Sequence, residues 1–317
     1  MKEIRIATTL QGKVEEILAQ LKDCGYRGQI VSIQHLHALK EGVEGPHRNR
    51  LLDEAFYQEW LSGFNYNTPE SLPDAKSMIV IAVPQPQTRI TFTWKSRSMH
   101  AIVPPTYLHA SQINQQLEDL LGIILGRQGY RVVQATLPVK LLAVCSGMAS
   151  YGRNNITYIE GMGSFYRLVT FYSDFPCQDD NWLEPQMMGA CSQCSACQHN
   201  CPAGAIQPDR FLLHAERCLT YHNEKPGNVS FSSWIDPGWH NCLVGCLSCQ
   251  KICPQNRHLL DWIEDGASFT QEETEILMLR AQRDLLSPVT WRKLEQWDLV
   301  SLLDVLPRNL NVLLDRI

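Results

Sequence analysis

The chain has no surplus of positive charge, no long apolar run and no low-complexity tract. Each absence removes a class of protein. Lys and Arg number 28 against 33 Asp and Glu, a formal net charge of -5, so a dedicated nucleic-acid clamp is disfavoured on charge. No stretch approaches the roughly 18 uninterrupted apolar residues that a membrane span requires. The opening MKEIRIATTLQGKVEEIL lacks the apolar core of a secretory leader. These features read as a soluble, cytoplasmic protein. Hydrophobic residues are 44% and charged residues 19% of 317, a balance that supports a sizeable core and excludes wholesale disorder. That length suggests two domains, or one large domain with an appendage.

What the chain does have is cysteine. Of 12 cysteines, nine lie between Cys191 and Cys253, and Cys24, Cys145 and Cys177 stand apart. The three strays read as buried free thiols. A disulfide framework suits a short secreted chain, whereas clustered thiols in a reducing compartment point to metal. The first run, CSQCSACQHNCP, places Cys191, Cys194, Cys197 and Cys201 before Pro202. This is the C-x2-C-x2-C-x3-C-P spacing of two-cluster ferredoxins, in which three thiolates wrap one cuboidal cluster and the fourth cysteine ligates the other. The second run, CLVGCLSCQKICP, places Cys242, Cys246, Cys249 and Cys253 before Pro254, with a leading gap one residue longer. One [4Fe-4S] cluster is therefore assigned to Cys191, Cys194, Cys197 and Cys253. The other takes Cys201, Cys246, Cys249 and either Cys218 or Cys242, with proximity favouring Cys242. Paired C-x2-C motifs also build zinc ribbons, but two zinc sites need neither the triplet nor the terminal Cys-Pro.

The rest of the chain reads as α/β or α+β over residues 1–175, a double-cluster domain over 176–257 that opens on a polar linker at 176–190, and a helical tail over 258–317. EIRIAT near the start is a candidate strand. Val14, Ile17, Leu18 and Leu21 recur at helical spacing before Gly25, and QIVSI reads as a strand. Residues 47–62 predict one helix. The nearly continuous apolar run SMIVIAV predicts a central strand. Ile113, Leu117, Leu120, Leu121, Ile124 and Leu125 predict an amphipathic helix, and YRVVQ and FYRLVTFY predict further strands. Thr270 and Glu273 form a capping box. Eight Trp and ten Tyr would suit stacking on a planar ligand, but packing is their commoner use.

Over roughly residues 70–257 the chain resembles the epoxyqueuosine reductases, cobalamin-dependent enzymes with two [4Fe-4S] clusters, and more distantly the reductive dehalogenases. The resemblance is carried by LPDAKSMIVIAVPQP, by TLPVKLLAVCSGMASYGRNN, by GMGSFYRLVTFYSD and by the cysteine block in the same order. It implies an α+β fold: a nitroreductase-like cobalamin-binding domain, a bacterial-ferredoxin-like double-cluster domain and a short helical tail. CLTY at Cys218–Tyr221 matches the family's lone ligating cysteine and its following tyrosine, so the resemblance favours Cys218 over Cys242. It also implies that Pro138, Gly147, Tyr151, Gly152, Arg153, Asn154, Gly163, Ser164 and Tyr221 border a cobalamin. Glycines there would let the backbone approach a macrocycle, although ordinary turns use glycine too.

Two departures stand out. The family's catalytic aspartate lies three residues before its Pro-Val pair, and here that place holds Ala135, so the catalytic residue is unknown; Lys140, Tyr151 or a water could substitute. The family's Gly-Lys is Gly152-Arg153, two cations that are not interchangeable. The leading expectation is a corrinoid-dependent iron-sulfur reductase, fed by a ferredoxin- or flavodoxin-type donor, whose substrate is not an epoxyqueuosine transfer RNA. The alternatives are a non-catalytic electron-transfer or corrinoid-reactivating protein serving a corrinoid enzyme, and an epoxyqueuosine reductase with a relocated proton donor.

Overall fold

A computed structural model describes residues 9–177, 180–279 and 283–314. The candidate strand EIRIAT lies outside the described residues. Helix α1 (Leu10–Asp23) is capped by the Thr9 side chain, which accepts from Gly12 N, and the chain turns through Gly25 at φ +81° into strand β1 (Arg27–Ser32). Helix α2 (Leu36–Arg48) follows. The single helix predicted over 47–62 is broken. Arg50 takes a left-handed conformation at φ 56°, and the Asp53 carboxylate restarts a turn by capping Phe56 N at 2.9 Å.

Strand β2 (Ser77–Pro84) pairs antiparallel with β1 on one side and with the later strand running Tyr166–Ser173 on the other. Strands β3 (Gln87–Trp94) and β4 (Arg97–Val103) form a hairpin, which the sequence reading missed. Its turn, Lys95-Ser96, has positive φ at both positions, the geometry of a tight hairpin, but carries none of the Gly or Asn that usually mark it. Helix α3 (Ala110–Gly126), strand β5 (Val132–Gln134) and helix α4 (Val139–Cys145) lead to the small hairpin β6 (Ser150–Tyr151) and β7 (Thr157–Tyr158), then to β8 (Tyr166–Ser173).

The main sheet has the order β1-β2-β8-β5. One face packs Ile79, Ile81 and Phe171 against Ile17 and Leu21 of α1 and Leu117 and Leu121 of α3. The other packs Met78, Val80 and Tyr172 against Leu39 of α2 and Leu142 of α4. Helices cover both faces, which is why SMIVIAV is apolar throughout. The fold is mixed α+β.

The tail departs from the helical expectation at its start. Strand β9 (Ile263–Phe269) runs parallel to β3 in a second sheet of order β4-β3-β9. Glu264, Asp265 and Gly266 hid it from sequence reading; a Cβ at Gly266 would lie 2.6 Å from Ile90 Cδ1 and 3.2 Å from the Arg89 carbonyl oxygen. Beyond β9 the tail is helical, and the capping box of Thr270 and Glu273 is present. Its leucines Leu277, Leu294, Leu302, Leu306 and Leu310 close a third core with Ile90, Phe92, Leu243 and Val244. The tail thereby ties the β3–β4 hairpin to the cysteine segment.

Candidate functional site

The cysteine segment is built of short turns, with little regular structure to separate its thiols. Helical turns at Ala196–His199 and Ser248–Lys251 follow the first cysteines of each run. Cys191, Cys194, Cys197 and Cys253 line one cavity, together with Gly152, Arg153, Asn154, Tyr158 and Met188. Cys253 has thus crossed from the second run to join three cysteines of the first.

A second group gathers around Cys249, whose charge interacts with Cys218, Cys246 and Cys201; Cys218 interacts in turn with Cys246 and Cys201. Cys242 stands outside this group. It is 1% exposed, its thiol donates to Asn241 Oδ1 at 3.0 Å, and Cys246 is the one thiol it interacts with. Of the three strays, Cys145 is buried in α4, Cys177 is partly buried and Cys24 is exposed.

Burial dominates the acidity of these thiols. It pushes Cys197 and Cys218 up to about 11, with neighbouring thiols adding to it, and Cys249 well above the ordinary thiol value. Thiols packed this closely in a desolvated site stay protonated unless a cation neutralises them. Donors are already in place: Ala205 N reaches Cys201 Sγ at 3.3 Å, and Asn241 Nδ2 reaches Cys246 Sγ at 3.4 Å. Among the described residues no three Cys, His, Asp or Glu side chains converge on a single-ion point. A tetrahedral zinc would draw four thiolates to about 2.3 Å from one centre, whereas a cuboidal cluster stands between its ligands and holds them apart. The donor chemistry and the cavity fit the cluster.

The other residues singled out from the sequence mostly face protein. Arg153 reaches across to the first cysteine loop: Nε donates to the Cys194 carbonyl at 2.9 Å and Nη2 to that of Cys191 at 2.7 Å. A Cβ on Gly152 would lie 2.6 Å from both Asn154 Oδ1 and Tyr158 Cε2, so its glycine is required by side chains of its own hairpin. Asn154 donates to the Tyr158 hydroxyl. Gly163, at φ +53°, lets the backbone approach Gln255 and Asn256, and Ser164 bonds to Asn256 and Gln250. These two seat the turn before β8 on residues 250–256. Gly147, at φ +76°, ends α4, which Pro138 begins. Tyr151 packs edge-on to Phe211, and Tyr221, 5% exposed, packs edge-on to Phe56.

Sequence reasoning gave Lys140 only as a stand-in for an acid. It is exposed on α4, yet hemmed in closely enough that desolvation lowers its ammonium against the opposing pull of Glu224, Cys218 and Cys249. Tyr107, from the loop after β4, donates to Glu224. Neither Tyr107 nor Glu224 was singled out beforehand, because nothing in the local sequence joins them; tertiary structure does.

Fold and paired thiol groups define an α+β domain joined to a double iron-sulfur cluster segment. Residues 190–256 match the family described as "4Fe-4S double cluster binding domain". More particularly, the chain is similar to the epoxyqueuosine reductases. That of Pseudomonas aeruginosa is 30% identical over 180 residues, covering 51% of this chain and 48% of the relative. That of Aliivibrio fischeri is 31% identical over 185 residues, covering 57% and 43%. The chain thus spans about half the length of the curated relatives it matches. Its fold is that of epoxyqueuosine reductase structures. The Bacillus subtilis enzyme, solved with an aspartate-bearing catalytic loop swung out of its active site, superposes with a TM-score of 0.65 at 20% identity, covering 96% of this chain and 81% of that one. Another, solved with an epoxyqueuosine-modified transfer RNA stem loop, gives 0.58 at 21% identity, covering 79% and 67%.

Proposed function

We propose that this chain is an iron-sulfur oxidoreductase of the epoxyqueuosine reductase kind. In this reading Cys191, Cys194, Cys197 and Cys253 hold one [4Fe-4S] cluster, and Cys201, Cys218, Cys246 and Cys249 hold the second. The observation that carries it is the exchange of last cysteines: each thiol group is completed by the final cysteine of the other run. That exchange sets two clusters side by side, as electron transfer between them requires. A ferredoxin- or flavodoxin-type protein would serve as donor.

The first domain is read as nitroreductase-like, with a cobalamin between it and the second cluster. Lys140 supports that place, being accessible to solvent while facing Cys218 and Cys249; Lys140, Glu224 and Tyr107 would border the corrin. The group would supply a low-valent cobalt as reductant or nucleophile. The chain's own residues supply the thiolates, brace the first loop through Arg153, and set the Lys140 ammonium toward Glu224, Cys218 and Cys249. Ala135, packed in the core, favours a substrate other than the epoxyqueuosine of a transfer RNA, because an epoxide oxygen leaves with a proton. The same residue favours a second reading, a protein that passes electrons to a partner corrinoid enzyme.

The test is metal and cofactor analysis of anaerobically purified, reconstituted protein. About eight irons per chain are expected, with cobalamin binding seen as a change in its visible spectrum on reduction. Fewer than four irons, or zinc in their place, would refute the cluster reading. Full iron with no corrinoid binding would leave the electron-transfer reading.

A further inference from the structure

Asn241 stands beside Cys246, and its contacts decide which way its amide faces. The side-chain oxygen accepts from Leu247 N at 3.1 Å and from the Cys242 thiol at 3.0 Å. With two donors aimed at it, that end of the amide must be the oxygen, because an NH2 there would meet both with hydrogens of its own. Nδ2 is thereby turned to the other side, where it reaches Ser248 Oγ at 2.9 Å, the Trp239 carbonyl at 3.2 Å and Cys246 Sγ at 3.4 Å. The loop that carries this set is held from outside. Leu243 N donates to the Ile102 carbonyl at 2.7 Å, and Asn223 Nδ2 donates to the Gly245 carbonyl at 2.7 Å. Cys242 is 1% exposed, and a thiol buried this way keeps the proton it donates at neutral pH.

We propose that Cys242 and Asn241 form a clasp that turns an amide donor onto Cys246, a ligand of the second cluster, and thereby raises the reduction potential of that cluster. This deepens the function proposed above and rests on the second cluster being present. As a thiol, Cys246 donates to Ser248 Oγ at 3.4 Å. As a ligand it has no proton and only accepts, so the amide hydrogen beside it gains a charged partner. An electron arriving from the soluble donor adds one negative charge to the cluster, spread in part onto its sulfurs. A hydrogen bond to sulfur stabilises that reduced state more than the oxidised one. The amide meets sulfur at Cys242 and Cys246, so the effect falls on the second cluster. Asn241 acts through Cys246, and Cys242 through Asn241; both are positioning residues. Cys242 thus has a task among the cysteines that is not ligation.

The test is a potentiometric titration of the reconstituted full chain, followed by electron paramagnetic resonance, for wild type, N241L, C242A and C242S. N241L keeps the bulk of the side chain but removes the donor to Cys246. C242A keeps the amide and frees it to turn, whereas C242S restores a donor to its oxygen. At a fixed poise the reduced-to-oxidised ratio of one cluster is expected to fall about tenfold in N241L, equivalent to 59 mV for a one-electron couple, while the other cluster stays at its wild-type potential. C242A should move the same couple the same way by less, and C242S should bring it back. Both potentials unchanged in N241L at wild-type iron content, or both moved alike, would overturn the clasp and leave the proposed function standing. Should N241L not hold its iron, C242A decides: a lowered potential recovered in C242S supports the clasp, and a wild-type potential overturns it. Wild-type protein that takes up iron for one cluster or none would overturn the clasp and the proposed function together, so the iron count tells the two failures apart.

Discussion

The choice between Cys218 and Cys242 as the last ligand of the second cluster can be decided by deleting each thiol. Cys218 faces Cys246 and Cys201, and Cys249 faces all three, so C218A removes one of four donors from a gathered group. Cys242 interacts with Cys246 alone among the thiols and spends its proton on Asn241 Oδ1; C242A removes a small buried side chain that packs beside Leu243. The expected outcomes separate by a whole cluster. Iron in C218A should drop from about eight to about four per chain, since a cuboidal cluster with three protein ligands is labile. Iron in C242A should stay near eight, with a stability loss of about 1 kcal/mol for the buried sulfur, seen as a fall of about 2–4 °C in melting temperature. Iron and acid-labile sulfide are counted after anaerobic reconstitution, with circular dichroism as the check on folding. A C242A protein that loses half its iron while C218A keeps it would refute the reasoning from thiol proximity.

Three further outcomes follow from particular contacts. R153M, which removes both hydrogen bonds to the Cys191 and Cys194 carbonyls, should lose iron from the first cluster faster under chelator, and R153K should lie between it and wild type because a single ammonium cannot span both carbonyls; equal rates in all three would refute the brace. G163A puts a Cβ 2.4 Å from Asn256 Oδ1 at a positive φ, so a destabilisation of roughly 2 kcal/mol or more is expected in denaturant unfolding, and a neutral result would mean that the seam between the first domain and residues 255–256 is slack. Burial alone would raise the Glu273 carboxyl, but hydrogen bonds from Lys293, Thr270 N and Thr290 outweigh it and hold it below its ordinary 4.5. A carboxyl depressed in the fold adds stability above its unfolded value and loses it as pH falls, so wild type should lose stability relative to E273Q as pH drops below about 4.5, and parallel pH profiles would count against the ion pair with Lys293.

The elements legible in the sequence were those whose signal is local. SMIVIAV announced a strand covered on both faces, Ile113 to Leu125 a helix, and Thr270 with Glu273 a cap, because spacing alone carries each. The two cysteine runs were legible for the same reason: a cluster imposes a spacing on its ligands. The hairpin at Lys95-Ser96 was not, since its turn is made by residues that rarely take positive φ. Strand β9 was not, because its pairing with β3 spans most of the chain and its sequence is half polar. The glycines 147, 152 and 163 pointed to close approach, but spacing does not say to what: two of them meet other parts of the protein and one ends a helix. Lys140, Glu224 and Tyr107 meet only through tertiary structure, so no window of sequence could have joined them.

Ala135, the position that the resemblance sets against the family's acid, bears on whether a carboxylate could be housed there. Ala135 is 8% exposed and packs in the core that holds Leu72, Leu137 and Tyr172. Its backbone is occupied on both sides: its N–H donates to the Thr170 carbonyl at 2.9 Å, and its own carbonyl accepts from Thr170 Oγ1 at 2.9 Å. A135D would bury a carboxylate among apolar side chains of this core, at a cost of several kcal/mol, and the melting temperature should fall by about 5–10 °C. The same substitution would be benign if the loop after β5 opened to solvent, because water would then solvate the new charge. A melting temperature within a degree of wild type would refute the closed-core argument. A large fall would mean that any proton this chain delivers comes from another element.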